Sequence, residues 1–175
     1  MLRILLVSAI AVLPAARAWA VDVTPSGFLV RHELAIGAPA ARVYASLLDV
    51  GSWWSDKHTY SGESRNLSID ARAGGCFCEK LPSGAVEHMR VVFLRPNEVL
   101  RMGGALGPLQ AHGVAGAMTW RLSPTANGTK VDLTYSVGGF MAGGFEAIAP
   151  AVETVLKEQA DRLKRFVETG APAAK

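Results

Sequence analysis

The stretch that decides the fold is residues 28–50, FLVRHELAIGAPAARVYASLLDV. Its first nine residues alternate: Phe28, Val30, His32, Leu34 and Ile36 share one face, and Leu29, Arg31, Glu33 and Ala35 share the other. Side chains on a strand point to opposite faces with a period of two, so this is a strand with one buried face. Gly37-Ala38-Pro39 breaks the run, and a proline is well tolerated in the first turn of a helix. Val43, Leu47 and Val50 then recur at spacings of three and four with Tyr44 and Leu48 beside them, which predicts an amphipathic helix of about three turns. Gly51 ends it, and Ser52-Trp53-Trp54-Ser55 follows as a loop or a short second helix.

Downstream, the pattern is one of strands and turns. Strands are expected at 63–69, 75–81, 86–94, 99–102, 116–122 and 130–137. Ala73-Gly74-Gly75, Pro82-Ser83-Gly84, Arg95-Pro96-Asn97 and Asn127-Gly128 punctuate them. Such short spacers make hairpins, hence an antiparallel meander. The connection 103–113 is longer and rich in glycine, of the size that carries function. Residues 145–169 form a long amphipathic helix with a stripe of Ile148, Val152, Val155, Leu156, Leu163, Phe166 and Val167, and Gln159 and Ala160 fall where the stripe would continue. Gly170 stops it. A sheet cannot leave its apolar face open, so the helix must cover it, and a curved sheet around a helix leaves room for a ligand.

The N-terminus has the parts of an export signal. Arg3 supplies charge, residues 4–13 are uncharged and mostly apolar, and small residues alternate through Ala16, Ala18 and Ala20. Cleavage is expected after Ala20, with Ala18 as second choice, giving a periplasmic or secreted protein. The apolar run is too short to cross a bilayer, which takes about 20 residues. Residues 21–26 read as a short tail, 27–170 as one domain and 171–175 as a flexible end. Loss of Arg3 and Arg17 would take the chain from a net charge of +3 to 16 basic against 15 acidic residues. A nucleic-acid surface is therefore not expected, and no block of Lys or Arg supplies one. No second segment suggests an integral membrane span.

The order strand, helix, about six strands, long helix resembles the helix-grip superfamily of START, Bet v 1-like and polyketide-cyclase-like domains. The resemblance rests on Trp53-Trp54, on Gly74-Gly75-Cys76-Phe77-Cys78-Glu79, on residues 94–101 (LRPNEVLR), on residues 129–135 (TKVDLTY) and on the terminal helix. It covers about residues 27–170 and looks closest to the bacterial branch grouped with activator-of-Hsp90-ATPase homologues. It implies an α+β helix-grip fold: a curved antiparallel sheet of about six to seven strands wrapped around a long C-terminal helix, with one or two short helices after the first strand. Superfamily members include lipid carriers, cyclases, dehydratases and co-chaperone modules. Export sets this chain apart from the mostly cytosolic relatives and argues against an Hsp90 partnership. Residues 104–110 look like a subgroup feature without an assignable role.

The expected function is binding of a hydrophobic or amphipathic small molecule, lipid-like or aromatic, between sheet and helix, without a cofactor. Trp53, Trp54 and Tyr60 are candidates to line the cavity, with the bland alternative that they cap the core. Met89 and Trp120 on strands extend the candidate ligand-binding set. Arg101 and His112 flank the glycine-rich connection and can hold an anionic end. Phe140, Met141 and Phe145, spaced by glycines, read as an apolar gate or as anchors in the core. An enzyme of the cyclase or dehydratase type is the alternative, with Glu79, Glu87 or His88 moving protons; strand alternation itself favours an exposed cross-strand pair for these three. An envelope protein-interaction module is a further alternative, resting on fold analogy.

Cys76 and Cys78 lie two apart on a strand. An oxidising compartment invites a disulfide, but extended residues at that spacing are about 6.6 Å apart at Cα, near the far limit for a bridge. Free or loosely coupled thiols are the preferred expectation. A soft-metal site of Cys76, Cys78 and His88 depends on strand register: pairing Leu81 with Ala85 sets Cys78 opposite His88, and pairing Leu81 with Val86 turns Glu79 to His88 instead. No Gly-x-Ser-x-Gly, phosphate loop or His-Glu-x-x-His occurs.

Overall fold

A computed structural model describes residues 19–173. The export signal falls on residues 1–20 and thus lies outside the described residues, apart from the backbone of Trp19 and Ala20. Among the described residues, eight antiparallel strands form one sheet: β1 (Trp19–Thr24), β2 (Gly27–Ile36), β3 (Leu67–Ile69), β4 (Cys76–Leu81), β5 (Gly84–Arg95), β6 (Val99–Gly103), β7 (Gly113–Thr125) and β8 (Gly128–Phe140). Their order across the sheet is β1-β2-β8-β7-β6-β5-β4-β3. Helix α1 (Ala40–Leu48) follows β2, and helix α2 (Ile148–Thr169) ends the domain. The helix-grip expectation is met, with one strand more than the upper count. Among the described residues no helix is long and apolar enough to cross a membrane.

The alternation of 28–36 is realised: Phe28, Val30, His32, Leu34 and Ile36 are all buried beneath α2. Residues 21–26, expected as a tail, instead contribute most of β1, which pairs with β2 from Thr24↔Gly27 back to Trp19↔His32. The turn at Pro25-Ser26 makes a tight hairpin there. Part of the segment 63–69 forms a 3₁₀ turn (Ser64–Asn66), leaving only Leu67–Ile69 for β3. Along α2, Ala149, Leu156, Gln159, Ala160, Leu163 and Val167 are buried, so the polar Gln159 does continue the stripe.

The β4–β5 hairpin follows neither expected register. Leu81 pairs with Gly84, Glu79 with Val86 and Cys78 with Glu87, then the ladder slips so that Phe77 pairs with Met89. His88 is the extra residue of a β-bulge, which lets two neighbours on one strand face the same side. Both His88 and Met89 are consequently buried. Phe77 and Glu79 are buried on the same inner face, whereas Cys76 and Cys78 lie half-buried on the outer face. The two cysteines are joined by a disulfide across 5.3 Å of Cα separation. This corrects the expectation of free thiols: the local backbone is compressed below the fully extended spacing, which brings the pair well inside bridging range.

Candidate functional site

The site is a cavity of about 310 Å³ between the β3–β5 end of the sheet and the first half of α2. Leu67, Phe77 and His88 supply the sheet wall. Ile148, Ala151, Val152, Val155 and Leu156 supply the helix wall. Apart from the exposed Ala151 these are stripe positions of α2, and most of them are only half-buried: the stripe runs past the end of the packed core and covers an open space. Trp54, Lys57, His58, Thr59 and Tyr60 close one side, and Leu106, Gly107 and Pro108 close the other.

Each of these loop walls is tied down by polar groups. On the aromatic side, the backbone N–H of Ser55 donates to Gln159 Oε1 at 2.8 Å, and Arg162 donates to the carbonyls of Trp53 (2.8 Å) and Trp54 (3.2 Å). The polar residue in the α2 stripe thus exists to hold the segment 53–55. Trp54 Nε1 donates to the His58 carbonyl at 3.0 Å, and its ring meets Phe77 edge-on at 5.7 Å. His58 lies 3.0 Å from Glu158 at the mouth. On the opposite side, the buried Tyr135 hydroxyl donates to the Gly104 carbonyl (3.1 Å) and accepts from Leu106 N–H (2.9 Å). Burial pushes this phenol up to about 12. Gly104 has φ 151° and sits so close to β5 that a Cβ would come within 2.9 Å of the His88 carbonyl. Only glycine fits that position.

At the back of the cavity stands a buried pair, Glu79 (0% exposed) and His88 (5%). His88 Nε2 lies 2.9 Å from Glu79 Oε2. The same carboxylate accepts backbone N–H groups from Tyr60 (3.1 Å) and Ser61 (2.5 Å). Burial pushes the Glu79 carboxyl up, but the bonds from Ser61, Tyr60 and His88 outweigh it and hold the group below its ordinary value. Burial also lowers the His88 imidazole, and the bond and charge of Glu79 offset this only in part. A carboxylate beside a neutral imidazole is the state this environment favours. The rings of Phe77 and Tyr60 lie 5.1 and 5.9 Å from that of His88.

The sign of the pH dependence follows. The folded-state values of His88 and of buried His32 are both below 6.5. The unfolded chain therefore takes up protons first, and stability is expected to fall as pH drops from about 6.5 toward the lowered folded values. The contribution of Glu79, present above its ordinary value of 4.5, is lost at still lower pH. Thermal melts between pH 8 and pH 4 (roughly that span) check this, because His titrates inside it; a His88→Phe variant should show a shallower decline above pH 5 or so.

The sequence candidates divide clearly. Trp54, Tyr60 and His88 reach the cavity. Trp53 is turned away into the core, donating to the Ser46 carbonyl at 2.9 Å and stacking near Trp120 at 6.2 Å. Trp120 and Met89 are core residues, and Phe145 is buried against Phe28 at 5.9 Å. Arg101 lies on the outer face, bonded to Thr119 Oγ1 at 3.0 Å and stacked over Phe93. His112 is exposed outside the cavity, and Phe140 is 76% exposed. Glu87 is exposed and paired with Arg90. Glu79 and His88 are not the exposed pair that alternation favoured, because the bulge turns His88 inward beside Glu79. Cys76 and Cys78 are bonded to each other on the face away from His88, so the three do not converge on a metal. The sequence reading missed Leu67, Phe77, Leu106, Pro108 and the role of Gln159. Phe77 was legible, since it alternates between the two cysteines; the phase break at His88-Met89 was the signal for the bulge.

Solved structures resemble this fold. A conserved protein of unknown function from Enterococcus faecalis, EF2215, superposes with a TM-score of 0.65 at 17% identity, covering 91% of this chain and 81% of its own. The Aha1 dimer from Colwellia psychrerythraea gives a TM-score of 0.58 at 19% identity, covering 81% and 97%. CalU16 from Micromonospora echinospora gives 0.56 at 18%, covering 89% and 85%. At these identities the likeness is one of fold. No curated protein matches the sequence. The family model described as polyketide cyclase / dehydrase and lipid transport matches residues 28–168, nearly the whole described domain, and the chain belongs to that family.

Proposed function

We propose that this protein binds a hydrophobic or amphipathic small molecule, lipid-like or aromatic, in the cavity between sheet and α2. The single observation that carries the reading is the half-buried apolar stripe of α2 facing Trp54, Phe77 and Leu67 across about 310 Å³ of space. Its size and mainly apolar lining suit a small ligand. Filling the space is the direct test. Val152→Trp places an indole in the cavity, and the affinity of any ligand that extracts with the wild-type protein, or of a panel of alkylphenols and fatty acids, should fall by at least about tenfold, roughly the loss of 1.4 kcal/mol of contact. Thermal stability should change little, because no core residue is displaced. Unchanged affinity would rule out this cavity as the binding site.

The same proposal includes export to the periplasm or beyond, supported by the composition of residues 1–20. Since β1 begins at Trp19, cleavage after Ala18 would keep the whole strand and cleavage after Ala20 would shorten it. N-terminal sequencing of protein from the envelope fraction distinguishes them, and recovery of an intact N-terminus from the cytoplasm would refute export.

A cyclase- or dehydratase-type enzyme is the second reading. One observation favours it: Glu79 and His88 meet at the cavity wall, so a proton acceptor faces the bound molecule. Mass spectrometry of ligand supplied to and recovered from the protein decides; a ligand recovered unchanged argues for carriage alone.

A further inference from the structure

Resting on the reading that the cavity holds a small molecule, we propose that it selects one that carries a hydroxyl or N–H donor, which bonds to His88 Nδ1, and that Glu79 sets this preference by fixing the imidazole tautomer. An ionised carboxylate accepts hydrogen bonds only. Its contact with His88 Nε2 at 2.9 Å therefore places the ring proton on Nε2. The other nitrogen, Nδ1, is left with a lone pair. It is buried and has no hydrogen-bond partner among the described residues, although His88 itself lines the cavity. A buried acceptor without a partner is costly, and a ligand that supplies the donor removes that cost.

Among the described residues that line the cavity, His88 Nδ1 is the one buried side-chain atom without a partner, and the polar groups of Lys57, His58 and Tyr60 stand at the more exposed mouth. Trp54 Nε1 is taken up by the His58 carbonyl, Tyr135 Oη by Gly104 and Leu106, and Thr59 Oγ1 by the Asp56 carbonyl. The Glu79 oxygens are occupied by Tyr60, Ser61 and His88 itself. The Phe77 and Tyr60 rings flank the imidazole, which hinders the ring turn that would exchange its nitrogens. The fitting ligand is mainly apolar and ends in a neutral hydroxyl, an alcohol or a phenol. A carboxylate at that point would set its lone pairs against that of Nδ1.

Three probes of one shape test this by calorimetry: 4-butylphenol, its methyl ether 4-butylanisole, and 4-butylbenzoate. The phenol is expected to bind at least about tenfold more tightly than the other two, the scale of one hydrogen bond to a buried acceptor. In Glu79→Gln the group beside Nε2 is neutral and keeps only one acceptor oxygen for the donors of Tyr60, Ser61 and His88, so the ring proton is no longer confined to Nε2 and the preference for the phenol should narrow. Since that variant can misfold, nitrogen NMR of His88 in the wild-type protein gives an independent reading, with the proton expected on Nε2. A proton on Nδ1, or equal affinity for phenol and ether, overturns the tautomer proposal while the cavity reading stands. Failure of all three probes to bind overturns both.

Discussion

Replacing Glu79 with Ala is expected to destabilise the fold by about 3–5 kcal/mol, because three donors lose a buried charged acceptor at once and each orphaned group costs about 1–3 kcal/mol. The donors are the backbone N–H groups of Tyr60 and Ser61 and His88 Nε2. They come from the loop after the tandem tryptophans and from the bulge of β5, so one carboxylate joins two elements that have no ladder between them. Water entering through the cavity can re-solvate some of these groups, which keeps the effect below the full sum. Urea unfolding should show a lower midpoint at an unchanged slope. A midpoint within experimental scatter of the wild type would mean that the carboxylate carries no structural role. Glu79→Gln retains one acceptor and should cost less, about 1–2 kcal/mol by the same reasoning.

Trp53→Ala should cost a similar amount, about 3–5 kcal/mol, as large aromatic truncations in a packed core do. Trp53 is fully buried, packs against Trp54 and Trp120 and donates to the Ser46 carbonyl. Its removal leaves a void at the junction of α1, the sheet and α2. Trp54 is as buried but already borders open space, so Trp54→Ala should destabilise less and weaken ligand binding more. Chemical denaturation and ligand titration of the two variants separate these effects. An equal loss of stability from both would show that the neighbouring tryptophans are not divided between core and cavity.

The division of Trp53 from Trp54 illustrates how far the sequence reached. An adjacent pair of indoles announces buried aromatic area, but which one fills the core depends on the path of the chain after α1. Gln159 and Arg162 fix that path from more than a hundred residues away. Flanking the glycine-rich connection does not bring Arg101 or His112 to the cavity. The connection does line the cavity, but through Leu106, Gly107 and Pro108, while Arg101 alternates to the outer face of β6. Glu79, Glu87 and His88 were legible as a group, and the bulge then separated the buried pair from the exposed member.

The strand and helix periods of 28–50, the glycine-marked turns and the apolar stripe of α2 determined the element order and which face of each element is buried. These are local properties: side-chain direction repeats every two residues in a strand and every 3.6 in a helix. Register across the β4–β5 hairpin, the closure of the Cys76–Cys78 bridge and the meeting of Glu79 with His88 were decided only in the tertiary structure. A single extra residue in one strand changes which side chains face each other without altering the composition of either. The chemistry at the back of this cavity therefore depends on one bulge that pairing alone reveals.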